Sequence, residues 1–207
     1  MYRKIFYFIF IAIILTGCSD KPITIEQVRK TESSFKQSLG SSTSASERAL
    51  RSVSQNYNQL SDYLNRNSLS DKDLKSMEAM LADLNKKRND FAEQLEDAEG
   101  SGKDLISLLK KRIGENSDRA MKRELNASVK IRQKAFKTTI SNAKSQLKEL
   151  DNAIQRFDNI VGYLQVSAGL RGVDAIVSQV KDLREGIDRL EVLVKEYAAE
   201  SQNLMRL

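Results

Sequence analysis

Few residues in this chain could do chemistry, and their counts set tight limits. Among 207 residues there is one cysteine, Cys18, and no histidine. The lack of His removes the commonest general base and the commonest metal ligand together. A single Cys makes neither an internal disulfide nor a Cys-rich zinc site. Carboxylates remain, and two acids suffice for glycoside hydrolysis. Sugar clefts, however, usually offer aromatic platforms. The sequence has no Trp, and only eight Phe and Tyr follow residue 18. Five of these (Phe35, Tyr57, Phe91, Phe136 and Phe157) recur at helical spacing and read as core. The expectation is no catalytic residue, no cofactor, no metal site and no small-molecule substrate.

Three charged or glycine-containing stretches carry weaker signals. Gly100-Ser101-Gly102-Lys103-Asp104 lacks the second half of a phosphate-cradling loop and reads as a plain connection. Glu93, Glu96, Asp97 and Glu99 cluster, but a helix end does not converge the six to eight oxygens that Ca²⁺ takes. They read as a solvated face. A basic run at Lys122, Arg123, Lys130, Arg132, Lys134 and Lys137 is denser. Lys130, Lys134 and Lys137 share one helical stripe, a candidate contact for lipid head groups, lipopolysaccharide or an acidic partner. The alternative is the solvated back of a helix.

The N-terminus gives the sharpest motif. Arg3 and Lys4 precede eleven apolar or aromatic residues, 5–15. A membrane span needs about 20, so the run matches a signal h-region instead. It ends in Leu15-Thr16-Gly17-Cys18, which resembles the lipobox of bacterial lipoproteins; the resemblance covers residues 1–18. It implies processing at Leu15, Thr16 and Gly17, removal of residues 1–17, and a covalent lipid on Cys18, which becomes the new N-terminus. Several acyl chains at about 0.8 kcal/mol per methylene would make a permanent anchor. Residues 18–23 would form a short tether. Ser19, where inner-membrane lipoproteins of enteric bacteria tend to carry Asp, implies the outer membrane and a periplasm-facing body. Losing Arg3 and Lys4 lowers the formal charge from +6 to +4, which reads as spread along the chain. Nucleic acid is not an expected partner.

These groups must be positioned by helices. Nine Gly and one Pro argue against a turn-rich β fold, and 30% charged residues with a mean hydropathy of −0.48 suit a strongly amphipathic chain. Apolar residues recur in 3-4 steps: Leu74, Met77, Leu81, Leu84, Phe91 and Leu95 form one seam, with Arg88 at the missing step. Longer seams run from Leu125 to Leu164 and from Val173 to Tyr197, and shorter ones from Ile25 to Leu39 and from Leu50 to Leu64. A period near 3.5 predicts an all-α, elongated antiparallel bundle with coiled-coil-like packing over residues 24–207. Thr24-x-x-Gln27, Ser44-x-x-Glu47, Ser70-x-x-Asp73 and Ser101-x-x-Asp104 read as helix starts. Residues 40–46, rich in Gly, Ser and Thr, read as a flexible joint, and Glu99-Gly100-Ser101-Gly102 as an inter-helix turn. A further break is expected at Gly114, with Gly in the left-handed conformation and Ser117-Asp118 restarting the helix.

Residues 159–180 carry only two charges, Arg171 and Asp174, where the chain average predicts about six or seven. An apolar hairpin tip suggests burial against something, either this chain or a partner. Tyr163, Val166, Leu170 and Arg171 are the candidate partner contacts. The expected function is a lipid-anchored envelope protein acting by protein–protein contact, as a scaffold or assembly factor. A surface-displayed lipoprotein binding host proteins and a phage- or conjugation-exclusion lipoprotein stay open, as does homo-oligomerisation.

Overall fold

The computed structural model describes residues 22–65, 70–167 and 173–206. Among them are four helices: α1 (Ile25–Leu64), α2 (Asp71–Gly114), α3 (Arg119–Ser167) and α4 (Val173–Arg206). At 1.5 Å per residue, the 49 residues of α3 extend about 74 Å and the 34 of α4 about 51 Å. Side-chain contacts fix the topology. Partners on α2 descend as α1 climbs: Arg48 meets Asp90, Ser52 meets Asp83, and Tyr63 meets Ser76. The same inversion links α2 to α3 and α3 to α4, as in Glu99–Lys144 and Gln165–Glu78, then Asn142–Glu200 and Arg189–Glu149. Tyr197 reaching Ser42 closes the ring between α4 and α1. The result is an antiparallel, all-α bundle.

The helix ends follow from local chemistry. Thr24 accepts from the Gln27 N–H at 3.2 Å while the Gln27 side chain accepts from the Thr24 N–H at 2.8 Å, a complete capping box. Ser70 and Asp73 repeat the arrangement at the start of α2. The Asp118 carboxylate accepts from the N–H groups of Ala120 and Met121, starting α3 as expected. The break at Gly114 is present, but Gly114 is not left-handed: Glu115 caps α2 in the right-handed region, and Lys122 donates to the Gly114 carbonyl at 3.0 Å.

Two expected breaks are absent. Residues 40–46 lie inside α1, and residues 99–102 lie inside α2. The small residues there serve close approach rather than a turn. Ser42, Ala45 and Ser46 are buried, and Gly102 is buried under the Phe136 ring. A Cβ on Gly102 would stand 2.2 Å from a Phe136 ring carbon. Ser44 and Ser101 consequently cap nothing. Ser101 instead donates to the carbonyl of Asp97 at 2.8 Å, the back-bonding that lets a hydroxyl sit mid-helix. Tertiary packing overrides the poor helix propensity of these residues.

The seams form the core. Phe35, Leu39, Met77, Leu84, Phe91, Phe136, Phe157, Leu183 and Leu190 are all buried in one cluster, and Tyr57 packs against it half-buried beneath Arg184. Arg88, at the vacant step of its seam, turns outward to pair with Asp151 at 2.7 Å. Within the core runs a polar layer. Tyr197 donates to Ser42 at 2.9 Å, Ser46 donates to Gln146 at 2.7 Å, and Gln146 donates to the Leu193 carbonyl.

Two predictions follow from this packing. Gly100 has open space around its Cα, so Gly100→Ala should stabilise by about 0.5–1 kcal/mol, while Gly102→Ala should destabilise by about 1–3 kcal/mol. Urea denaturation of the two variants decides it; equal midpoints would mean that the Phe136 ring moves aside freely. Burial pushes the Tyr197 phenol above its ordinary range, against a downward pull from its hydrogen bond to Ser42. The raised value means that its contribution is complete below the unfolded pKa, about 10, and is lost as pH rises beyond it. The urea midpoint should therefore fall more steeply above about pH 10 in the native chain than in Tyr197→Phe, which should itself lose about 1 kcal/mol at neutral pH. Parallel pH profiles for the two proteins would contradict this.

Candidate functional site

The two ends of the rod differ, and the difference starts from helix length. Leu204, near the end of α4, shares the walls of a small cavity with Phe35, Gly102, Leu105 and Phe136. α4 as described thus stops level with the middle of the Gly102–Phe136 contact. Beyond that level, the described residues of α1, α2 and α3 continue for about nine to seventeen residues, or roughly 14–26 Å, with no described residue of α4 beside them. The backbone N–H of Ile23 donates to the Glu115 carboxylate at 3.1 Å, tying the chain start to the α2–α3 connection. This end faces the lipobox in sequence, so it is the proximal end. The last turns of α1 and α3 and the first turns of α2 and α4 lie at the distal end.

Leu15, Thr16, Gly17 and Cys18, together with Leu170 and Arg171, lie outside the described residues. At the distal end, the apolar stretch is largely used by the chain itself: Ile160, Val161 and Leu164 are buried in the core, and Ile176 and Val180 pack against it. Tyr163 is half-buried. Val166 stands apart, 83% exposed in the last turn of α3.

Lys130, Lys134 and Lys137 are exposed on α3, on one stripe as the spacing predicts. Arg123 and Arg119 lie on the same stripe two and three turns before Lys130, and are also exposed. They extend the stripe to the proximal end. The basic run of the sequence includes Arg123 but not Arg119, and the expected stripe holds only the three lysines. The chain's charge is not spread evenly either. Residues 110–137 hold ten Lys or Arg against three Asp or Glu, a surplus larger than that of the whole mature chain. Folding places this segment at the proximal end.

Lys137 also borders a groove of about 600 Å³ between α2 and α3, floored by Ile106, Phe136 and Ile140 and rimmed by Lys103, Lys110 and Lys144. Glu99 on its rim bonds Lys103 at 2.8 Å and Lys144 at 2.6 Å, and these two ammonium groups, Lys103 first, hold its carboxyl below the usual range. Glu99, one member of the acidic cluster of α2, is thus a paired surface carboxylate. Among the described residues, no group of three or more Cys, Asp or Glu is placed to hold a metal ion. Among the same residues, no helix is long and apolar enough to cross a membrane.

Comparison with known proteins adds one match. Residues 3–19 fit the family model of the prokaryotic membrane lipoprotein lipid attachment site. No curated protein and no solved structure is significantly similar to the chain. The body is accounted for by its own physics, whereas the N-terminus has a recognised type. The chain carries a bacterial lipoprotein lipobox and is a lipid-anchored protein of the cell envelope, with an all-α body.

Proposed function

We propose that this protein is an envelope scaffold or assembly lipoprotein. Its lipid sits on Cys18, and its distal end meets a protein partner away from the membrane. One observation carries the reading: Ile23, five residues after Cys18, and Val166 lie at opposite ends of the described bundle. Val166 follows Met121 by 45 residues of continuous helix, about 68 Å. A long stiff body on a short tether is suited to holding a contact at a set distance from a bilayer. The reading assigns no catalytic role and no cofactor, in keeping with the lack of His and the single, N-terminal Cys. Ser19 after Cys18 favours the outer membrane with the rod in the periplasm.

Anchoring and orientation are tested together. Cys18→Ala should release the protein from the membrane fraction, and protease should cut the native rod only after the outer membrane is permeabilised. Cleavage on intact cells would overturn the periplasmic orientation, and unchanged membrane association of Cys18→Ala would remove the anchor. For the distal contact, a photo-crosslinking residue at position 166 should trap a discrete protein adduct in cells, whereas the same residue at Val192, 55% exposed on the side of α4, should not. Equal labelling at both sites, or none at 166, would rule out the tip as the contact.

A further inference from the structure

We propose that the proximal end of the bundle is itself a membrane-binding surface, which engages the anionic phospholipid headgroups of the bilayer holding the lipid anchor. This rests on the lipid-anchor finding and is independent of any distal partner. Three observations converge on it.

The first is reach. Cys18 precedes Ile23 by five residues, and extended chain covers at most about 3.6 Å per residue, so the thiol lies within about 18 Å of Ile23. The Ile23 N–H is bonded to Glu115, at the α2–α3 connection. A lipid on Cys18 therefore holds that connection within the headgroup region or just above it.

The second is charge. Of the three carboxylates within residues 110–137, Glu115 is engaged by Ile23 and Arg112, and Asp118 caps α3. That leaves Glu124 facing the cations. Lys122 is drawn to the Gly114 carbonyl, but Arg119, Arg123, Lys130, Lys134 and Lys137 form a stripe along α3 with no carboxylate partner among the described residues. Juxtamembrane clusters of four to eight Lys and Arg attract anionic lipid, and each residue adds to the attraction.

The third is exposed apolar surface beside that charge. Ile25, Met121 and Leu125 are 63%, 51% and 40% exposed. Met121 and Leu125 continue the apolar stripe that buries Val129 and Phe136 further along α3, and no described residue of α4 covers them. Together with Ile113, Ile25 and Leu125 line a cleft of about 620 Å³ at this end. Apolar side chains flanked by cations are what an interfacial membrane site presents: the apolar groups enter the acyl boundary while Arg and Lys stay with the phosphates. A single acidic protein partner would complement the charge, but it would not explain why the surface sits where the anchor must hold it.

The test uses the mature chain from residue 18 with Cys18→Ser, so that the lipid contributes nothing. The described residues begin at 22, after the signal segment. The probe is sedimentation with vesicles of phosphatidylcholine containing 30% phosphatidylglycerol. Binding is expected, with loss in pure phosphatidylcholine and at high salt, where the Debye length falls to about 3 Å at 1 M. Reversing Arg119, Arg123, Lys130 and Lys134 to Glu should weaken it by about tenfold or more, while reversing Lys72, Lys75, Lys86 and Lys181, exposed away from this end, should leave it within about twofold. Circular dichroism checks that both sets stay helical. The chain has no Trp, so Leu125→Trp supplies a unique reporter. Its fluorescence should shift to the blue on anionic vesicles, and that of Val166→Trp should not. No vesicle binding, equal binding to neutral vesicles, or equal loss from the two charge-reversed sets would overturn the proposal, and none of these would bear on the crosslink at position 166.

Discussion

Three helices of this bundle are held in register by one buried polar layer. The Tyr197 hydroxyl meets Ser42 across α4 and α1, and Gln146 of α3 joins Ser46 of α1 to a carbonyl of α4. Aliphatic seams with a near-heptad period can slide by one repeat and still bury comparable surface. A buried hydroxyl or amide cannot, because each one left unpaired costs about 1–3 kcal/mol. In a rod this long, the polar layer therefore selects one alignment among several that the apolar contacts would tolerate. The Phe136 ring over Gly102 and the Ser52–Asp83 bond place α2 against the others.

That alignment sets the character of each end. With Tyr197 opposite Ser42, the last described turn of α4 lies level with Phe35 and Phe136, and the described residues of the proximal end belong to α1, α2 and α3. Sliding α4 by two heptads would cover Met121 and Leu125 and remove the distal cover of Ile160 and Leu164. The register chosen in the middle thus decides which apolar residues are core and which are surface some tens of Å away. On the proposed reading, a lipid on Cys18 would hold the proximal end next to the bilayer.

The two absent breaks share one cause. Gly, Ser and Thr at 40–46 and 99–102 have the composition of loops, and locally nothing separates a loop from a helix that needs small residues for close contact. The separating fact is the bulk on the other side. Phe136 lies 34 residues from Gly102, and Tyr197 lies 155 from Ser42. The capping boxes show the same ambiguity: Thr24 and Ser70 cap helices, while Ser44 and Ser101 carry equally plausible patterns inside them. In the apolar stretch 159–180, most of the described side chains proved to be ordinary core, leaving Val166 as the exposed exception.

What the sequence determined alone was whatever depends on near neighbours. The lipobox is a contiguous motif, the 3-4 periodicity is a property of one helix face, and the caps at Thr24, Ser70 and Asp118 act across three residues. These fix an anchored, all-α, rod-like protein. Tertiary structure decided everything that depends on which helices meet and where each one stops. It turned two supposed turns into close-packing sites, continued a stripe of three lysines to Arg119 and Arg123, and gathered the chain's positive charge at the anchored end. Such properties depend on the distance between residues far apart in the chain, which burial and register set and local pattern does not encode.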